Sequence, residues 1–277
     1  MLTFPFCKIN LGLHIVNKRA DGFHNIETIF YPVKSLTDVL EIIPSERFDF
    51  QCYGLQIDGK EEDNLVVKAY NLMRQRHHLP PVSINLLKNI PAGAGLGGGS
   101  SDAAAALVLL NKLFNLHLDN ETLKTYASEL GSDCPFFIEG TPAFASNRGE
   151  KLLPCDCPEL TDKQIVIVKP NIHISTADAY ANCNPAFPET DLREIMQKPV
   201  SSWKNLLKND FEKTLFLLHP RLAAIKKMLY RKGALYASLS GSGSALFGIF
   251  DDVPKWEEEG DWGVYHKENS KIHYTKL

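Results

Sequence analysis

Pro91-Ala92-Gly93-Ala94-Gly95-Leu96-Gly97-Gly98-Gly99-Ser100-Ser101, running into Asp102-Ala103-Ala104-Ala105-Ala106-Leu107, decides how the rest of the chain is read. Five glycines within seven residues open backbone conformations that a Cβ would forbid. The Ala- and Leu-rich run that follows predicts a helix over 103–114. A glycine loop opening onto a helix is the build of an anion site, because free amides and the positive end of the helix dipole face one point. Ser100 and Ser101 add hydroxyls at its mouth, so the expected ligand is a polyphosphate. Two familiar phosphate motifs fit poorly. No Gly-Lys-Ser/Thr follows the glycines, which excludes the P-loop. Gly93-x-Gly95-x-x-Gly98 matches the dinucleotide fingerprint, but the acidic residue at the right distance, Asp119, reads better as a helix cap.

The 277 residues suit one large domain or two of ordinary size. With 44% hydrophobic and 23% charged residues the composition is that of an ordinary globular protein. A net charge of -3 provides no basic field for nucleic acid. No apolar run approaches the roughly 18 residues of a membrane span. Met1-Leu2-Thr3-Phe4 lacks a charged leader region, so the expected location is the cytoplasm. Cys7, Cys52, Cys134, Cys155, Cys157 and Cys183 show neither disulfide-framework nor zinc spacing and are expected as reduced thiols.

Alternation from Lys8 to Val16 predicts a half-buried strand, with Lys8 and Asn10 on one face. Alternation alone makes that face solvated. Arg19-Ala20-Asp21-Gly22 is a turn that sets Phe23 and His24 side by side. Strands are expected at 26–33 and 39–43 with a polar turn at 34–38 between them, and a strand pair at 48–57. Asp63-Asn64 reads as the cap of a helix over 65–77, and 82–87 as the strand that delivers the chain to the glycines. A helix over 121–130 closes at Gly131 and leads to Asp133, read as a helix-to-strand junction. A short strand follows at 143–146. The linker candidate at 153–162 divides the chain into domains 1–156 and 157–277. Beyond it come a strand at 165–168, a helix over 176–181 capped by Ser175, helices over 203–218 and 221–232, and strands at 234–239 and 245–250 around Ser240-Gly241-Ser242-Gly243-Ser244. A weak helix after Trp256 and a strand near 272–274 end the chain.

Taken together, Lys8-x-Asn10, the glycine stretch 91–101 and the Gly241-Ser242-Gly243-Ser244 loop resemble the three motifs of the GHMP kinase superfamily. Within it, Asp21-Gly22-Phe23-His24 and Gly131-Ser132-Asp133-Cys134-Pro135-Phe136-Phe137 are similar to the 4-diphosphocytidyl-2-C-methyl-D-erythritol kinase family. That resemblance implies a two-domain α+β fold with the active site in the cleft between domains. It implies ATP with magnesium, no metal ligand being assigned among the residues, and phosphorylation of a tertiary hydroxyl on a cytidine diphosphate sugar alcohol. Asp133 matches the catalytic base and Lys8 its charged partner; an aspartate takes the hydroxyl proton as the phosphoryl transfers, and a nearby ammonium favours its ionised form. Residues 91–101 correspond to the ATP loop. Asn10, Phe23, His24, Thr176, Tyr180, Gly241 and Ser242 correspond to the substrate side, with Phe23, His24 and Tyr180 around the pyrimidine. Phe23 stands where the family has tyrosine, which keeps the ring and loses a hydroxyl. No interface stripe is legible, so a monomer or weak homodimer is expected. The alternatives are another small-molecule kinase of the superfamily, acting on mevalonate, homoserine or a sugar, and a non-catalytic nucleotide sensor.

Overall fold

A computed structural model describes residues 1–57, 59–181 and 183–252 and the backbone of 271–276. Strands β1 (Leu2–Thr3), β2 (Phe6–Lys18), β3 (His24–Thr37), β4 (Val39–Pro44) and β5 (Asp49–Gly54) lead into helix α1 (Leu65–His77) and strand β6 (Val82–Lys88). Helices α2 (Gly98–Leu113), α3 (Asn120–Leu130) and α4 (Phe136–Glu139) follow, then β7 (Ala143–Ser146), β8 (Lys151–Pro154) and β9 (Gln164–Lys169). Helices α5 (Thr176–Ala181), α6 (Leu192–Met196), α7 (Trp203–Leu206), α8 (Phe211–Leu218) and α9 (Pro220–Arg231) precede β10 (Tyr236–Leu239), β11 (Leu246–Phe250) and β12 (Lys271–Lys276). The expected helix after Trp256 falls outside the described residues.

Two compact units divide the chain. The first is Met1–Lys8, Leu36–Ala92 and Gly97–Thr141; the second is Ile9–Ser35, Gly93–Leu96 and everything from Pro142 onward. The glycine stretch therefore passes from the first unit into the second and back, and the 153–162 segment lies wholly inside the second.

In the first unit the sheet order is β1-β4-β6-β5, with only the β5–β6 pair parallel. Leu40 and Ile42 of β4 and Ile84 and Leu86 of β6 share a core with Tyr70 and Met73 of α1 and Leu107 and Leu110 of α2. Ala103, Ala104 and Ala106 are fully buried, so α2 is central, as its all-round apolar sequence predicts. The N-terminus of α1 is held by Asn64, whose side chain accepts from the Val66 amide at 2.9 Å. Asn64→Ala is expected to cost about 1 kcal/mol, read from the midpoint of urea unfolding. Asp119 caps α3 by accepting from the Thr122 amide at 2.8 Å.

In the second unit, β2-β3-β7-β8 form one sheet and β10-β11-β9-β12 another. A core of Val166 and Val168 of β9, Leu239 and Leu246, and Leu222, Ile225 and Leu229 of α9 covers the second sheet. Among the described residues no helix is long and apolar enough to cross a membrane.

Several expectations are corrected. The polar stretch 34–38 is no turn: β3 runs to Thr37, and Asp38 is fully buried at its end. Residues 48–57 give one strand, β5, since its partner is the distant β6. The expected helix over 203–218 breaks at 207–210. There Asn209 accepts from the Phe211 amide and donates to the carbonyls of Leu239 and Gly241, both at 2.9 Å. Those partners lie some thirty residues away, beyond the reach of local propensity. Pro220 is the first residue of α9, where its missing N–H costs nothing.

Candidate active site

Gly93, Gly95 and Gly97 hold φ of +59°, +76° and +73°. A Cβ on Gly95 would lie 1.9 Å from the Ser240 carbonyl oxygen, and one on Gly97 would lie 2.7 Å from the Phe137 ring. Helix α2 begins at Gly98, five residues ahead of the expected Ala103, so the last glycines and both serines form its first turn. Helix propensity counts against glycine there, but packing decides: a Cβ on Gly98 would meet Ile90 at 2.8 Å. The first intrahelical bond runs from the Ser101 amide to Gly97 O at 2.9 Å. The amides of Gly98, Gly99 and Ser100 precede it and face out with the helix dipole. Ser100 keeps partial exposure, whereas Ser101 is buried and its hydroxyl does not stand at the mouth.

Lys8 and Asp133 meet in the first unit. Lys8 Nζ lies 3.4 Å from Asp133 Oδ2; the lysine side chain is 4% exposed and the aspartate 31%. The face of β2 that carries Lys8 is buried rather than solvated, because the ammonium has a carboxylate to meet. The Lys8 stem also packs beside Gly97, where a Cβ would stand 3.2 Å from its Cγ. Asp133 sits in a turn that leads into α4, where a strand was expected. Phe137 of that helix packs on Phe6 with centroids 5.5 Å apart, and this apolar anchoring holds the turn beside the glycines. A half-open carboxylate backed by a buried ammonium, next to a set of free amides, is an arrangement that can accept a proton beside a bound anion. The neighbouring Cys134 is no nucleophile, since burial pushes its thiol up to about 12.

A cavity of about 680 Å³ opens in the same unit. Phe50, Ile57, Asn64 and Leu65 line it together with Ala92 and Gly99 of the glycine stretch. Lys88 and Asp102 also line it, and sequence reasoning missed both. Lys88 is held between Asp38 and Asp102, 2.6 Å from the latter, with all three side chains buried. A signal was present: Val82, Ile84, Leu86 and Lys88 alternate onto one face of β6, which puts the lysine on the core side.

In the second unit the two glycine-rich loops lie against each other. The Ser240 hydroxyl donates to Gly95 O at 2.8 Å, and the Ala245 amide to Ala94 O at 3.1 Å. Gly241 faces the same backbone, a Cβ there standing 3.2 Å from Gly95 Cα. Asn10 is buried; its amide donates to the Thr28 hydroxyl at 3.0 Å, and its carbonyl lies 3.5 Å from the Ser240 hydroxyl. Thr176 and Ser242 come together, their hydroxyls 3.4 Å apart. Phe23 is 55% exposed, with the Arg148 guanidinium 5.2 Å from its ring centre. Arg148 is a neighbour that sequence spacing gave no sign of. His24 and Tyr180 stack on each other at 4.9 Å and 15°, and Phe211 meets Tyr180 edge-on. A base between two rings needs their planes about 7 Å apart, twice the contact distance. Tyr180 and His24 stack directly on each other, and Phe23, under Arg148, is the exposed ring of the three.

Residues 64–141 match the model for the GHMP kinases N terminal domain, and residues 183–256 that for the GHMP kinases C terminal domain. A protein from Bacteroides fragilis named 4-diphosphocytidyl-2-C-methyl-D-erythritol kinase is 52% identical over 259 residues, spanning 92% of this chain and 94% of its own. The chain belongs to the 4-diphosphocytidyl-2-C-methyl-D-erythritol kinase family of GHMP kinases. A second member of this kinase family, from Bacteroides thetaiotaomicron, is 50% identical over 268 residues, covering 95% of this chain and 97% of its own. The crystal structure of a 4-(cytidine 5'-diphospho)-2C-methyl-D-erythritol kinase matches with a TM-score of 0.78 at 33% identity, over 90% of each chain. The fold is therefore the α+β fold of the GHMP kinases, and the chain is a kinase with a small-molecule substrate.

Proposed function

We propose that the protein transfers the γ-phosphoryl group of ATP to the 2-hydroxyl of 4-diphosphocytidyl-2-C-methyl-D-erythritol, giving the 2-phosphate and ADP. This is a step of the non-mevalonate route to isoprenoids, carried out in the cytoplasm by a monomer or weak homodimer. The observation that carries the reading is the Asp133–Lys8 pair beside Gly97, at the end of α2 where the amides of Gly98, Gly99 and Ser100 are free of helix partners. Phosphoryl transfer asks for positioning and charge stabilisation more than for covalent chemistry. The amides hold phosphate oxygens, and the cavity that Ala92 and Gly99 line takes the nucleoside. Asp133 accepts the hydroxyl proton as the oxygen attacks, while Lys8 offsets charge on the carboxylate and the transferring group.

Among the described residues no group of three or more His, Cys, Asp and Glu is gathered to hold a metal. Bound with the nucleotide, magnesium would supply charge neutralisation to the phosphates beside the Gly98, Gly99 and Ser100 amides. On the acceptor side, Phe23 supplies the stacking face for cytosine and His24 the polar edge, with Thr176 at the start of α5 and Gly241 and Ser242 on the loop that meets it. Asn10 positions the Ser240–Gly95 contact. Phe23→Ala is expected to raise KM for the cytidylyl acceptor about tenfold, since stacking on one base is worth ~1–3 kcal/mol, and to leave KM for ATP in place. Steady-state kinetics with each substrate varied in turn measure this.

The reading is tested by ADP release from ATP and magnesium with three acceptors: the cytidylyl methylerythritol, mevalonate and homoserine. Turnover with the first alone supports it. Turnover with another acceptor points to a different kinase of the superfamily, and silence with all three to a nucleotide sensor.

A further inference from the structure

We propose that nucleotide binding draws a proton onto Asp102, which then stands as a neutral carboxylic acid between Lys88 and the first turn of α2. The inference rests on the reading of the cavity as the nucleotide site and goes beyond it to one residue with no assigned role. Period-2 alternation carries Lys88 to the core face of β6, where an ammonium must find counter-charges. Two carboxylates answer. Asp38 accepts from Lys88 with Oδ2 and from the amides of Asn89 and Ile90 with Oδ1, at 2.6 and 2.8 Å. Asp102 accepts from Lys88 with Oδ2 at 2.6 Å, while its Oδ1 is buried with no partner. The residue is 2% exposed and lines the cavity together with Lys88.

With both carboxylates ionised the cluster carries a net charge of minus one. It sits directly against the first turn of α2: a Cβ on Gly98 would stand 3.3 Å from Lys88 Nζ. Helical side chains lean toward the N-terminus, so the Asp102 carboxyl is drawn to the end where the polyphosphate arrives. Several new negative charges there repel the buried one, and a single proton relieves the conflict. Both oxygens of Asp38 already accept hydrogen bonds, which leaves Oδ1 of Asp102 to take it. The other titratable or charged groups facing this point are Asp38 at the β3–β4 junction, Lys88 on β6 and Cys52 on β5, with Lys60, Glu61 and Asp63 along the cavity wall before α1.

Burial foremost, with the Asp38 charge, pushes the Asp102 carboxyl up to about 8 against the pull of Lys88. The free protein therefore holds the proton below that pH and loses it above. A bound anion moves the transition higher, so uptake appears at pH 8 to 9, where the phosphates of ADP are already fully ionised.

The test is calorimetric titration of the full chain with ADP and magnesium, from pH 7.5 to 9, in two buffers of different ionisation enthalpy. The expected result is uptake of a large fraction of one proton near pH 8.5, with ADP affinity falling about fivefold across the range. Asp102→Asn, which cannot take up a proton, is expected to bind ADP without uptake and with a flat pH dependence. Absence of uptake in the wild-type protein at every pH overturns the proposal, whatever the variant does, and so does uptake that persists in Asp102→Asn. Failure of ADP to bind at any pH overturns it together with the nucleotide reading of the cavity, whereas binding without uptake leaves that reading standing.

Discussion

Asp133→Asn is expected to lower kcat by about two to four orders of magnitude, the range for losing a positioned general base, with KM for both substrates changed little. The isosteric amide keeps the shape of the turn before α4 and a hydrogen-bonding oxygen toward Lys8, but it cannot take a proton. The carboxylate is half open, and its turn is held by Phe137 against Phe6, a contact the amide leaves in place, so the fold is expected to be kept. Lys8→Ala serves as a contrast. It removes a buried cation and its stem beside Gly97, so it is expected to lower kcat and to disturb ATP binding together. Initial rates with each substrate varied separate the two patterns. A kcat for Asp133→Asn within tenfold of wild type would remove the aspartate from the role of base.

Gly95→Ala is the second large effect, and it acts through packing. The added Cβ would stand 1.9 Å from Ser240 O and 2.8 Å from Ser240 C, both backbone atoms. Alanine must also adopt φ near +76°. Left-handed backbone costs an L-residue ~1–2 kcal/mol and overpacking ~1–3 kcal/mol, so a loss of about 2–5 kcal/mol is expected. The clash pushes apart the two loops that Ser240 and Ala245 hold together, so activity falls with stability. Gly99→Ala is the control for stability, since its Cβ would meet only Leu65 at 3.7 Å. Inside a helix that exchange is expected to be neutral or stabilising by up to about 1 kcal/mol. Urea unfolding midpoints of the two variants measure the difference. Equal midpoints would mean that the 240–244 loop yields freely.

What was legible in the chain was local. Asn64 as cap, the helix it starts, the Asp119 cap and the glycine-loop-into-helix build of residues 91–101 each follow from short-range rules, and the family motifs placed Asp133 opposite Lys8. What was missed depends on partners far along the chain. Lys88 was passed over as the end of a strand because its carboxylates stand 50 residues before it and 14 after it. Asn10 reads as a polar residue on an open face until Thr28 and Ser240 close over it. The helix break at 207–210 was hidden because carbonyls of Leu239 and Gly241 hold Asn209 in place. The early start of α2 was hidden by propensity, which penalises glycine without knowing that Ile90 leaves no room for a Cβ at position 98. Tyr180 was placed near the base by its position in the family pattern, but which ring it stacks on is a matter of three-dimensional neighbours.

The central claim is most directly tested by proton-coupled phosphorus NMR of the product formed from ATP and the cytidylyl methylerythritol. The carbon at position 2 is tertiary and bears no hydrogen. Transfer to its oxygen predicts a new phosphomonoester signal that stays a singlet without proton decoupling, formed in step with ADP. A signal split by neighbouring protons would place the phosphate on a primary or secondary hydroxyl, and no new phosphomonoester at all would contradict the assignment of the acceptor.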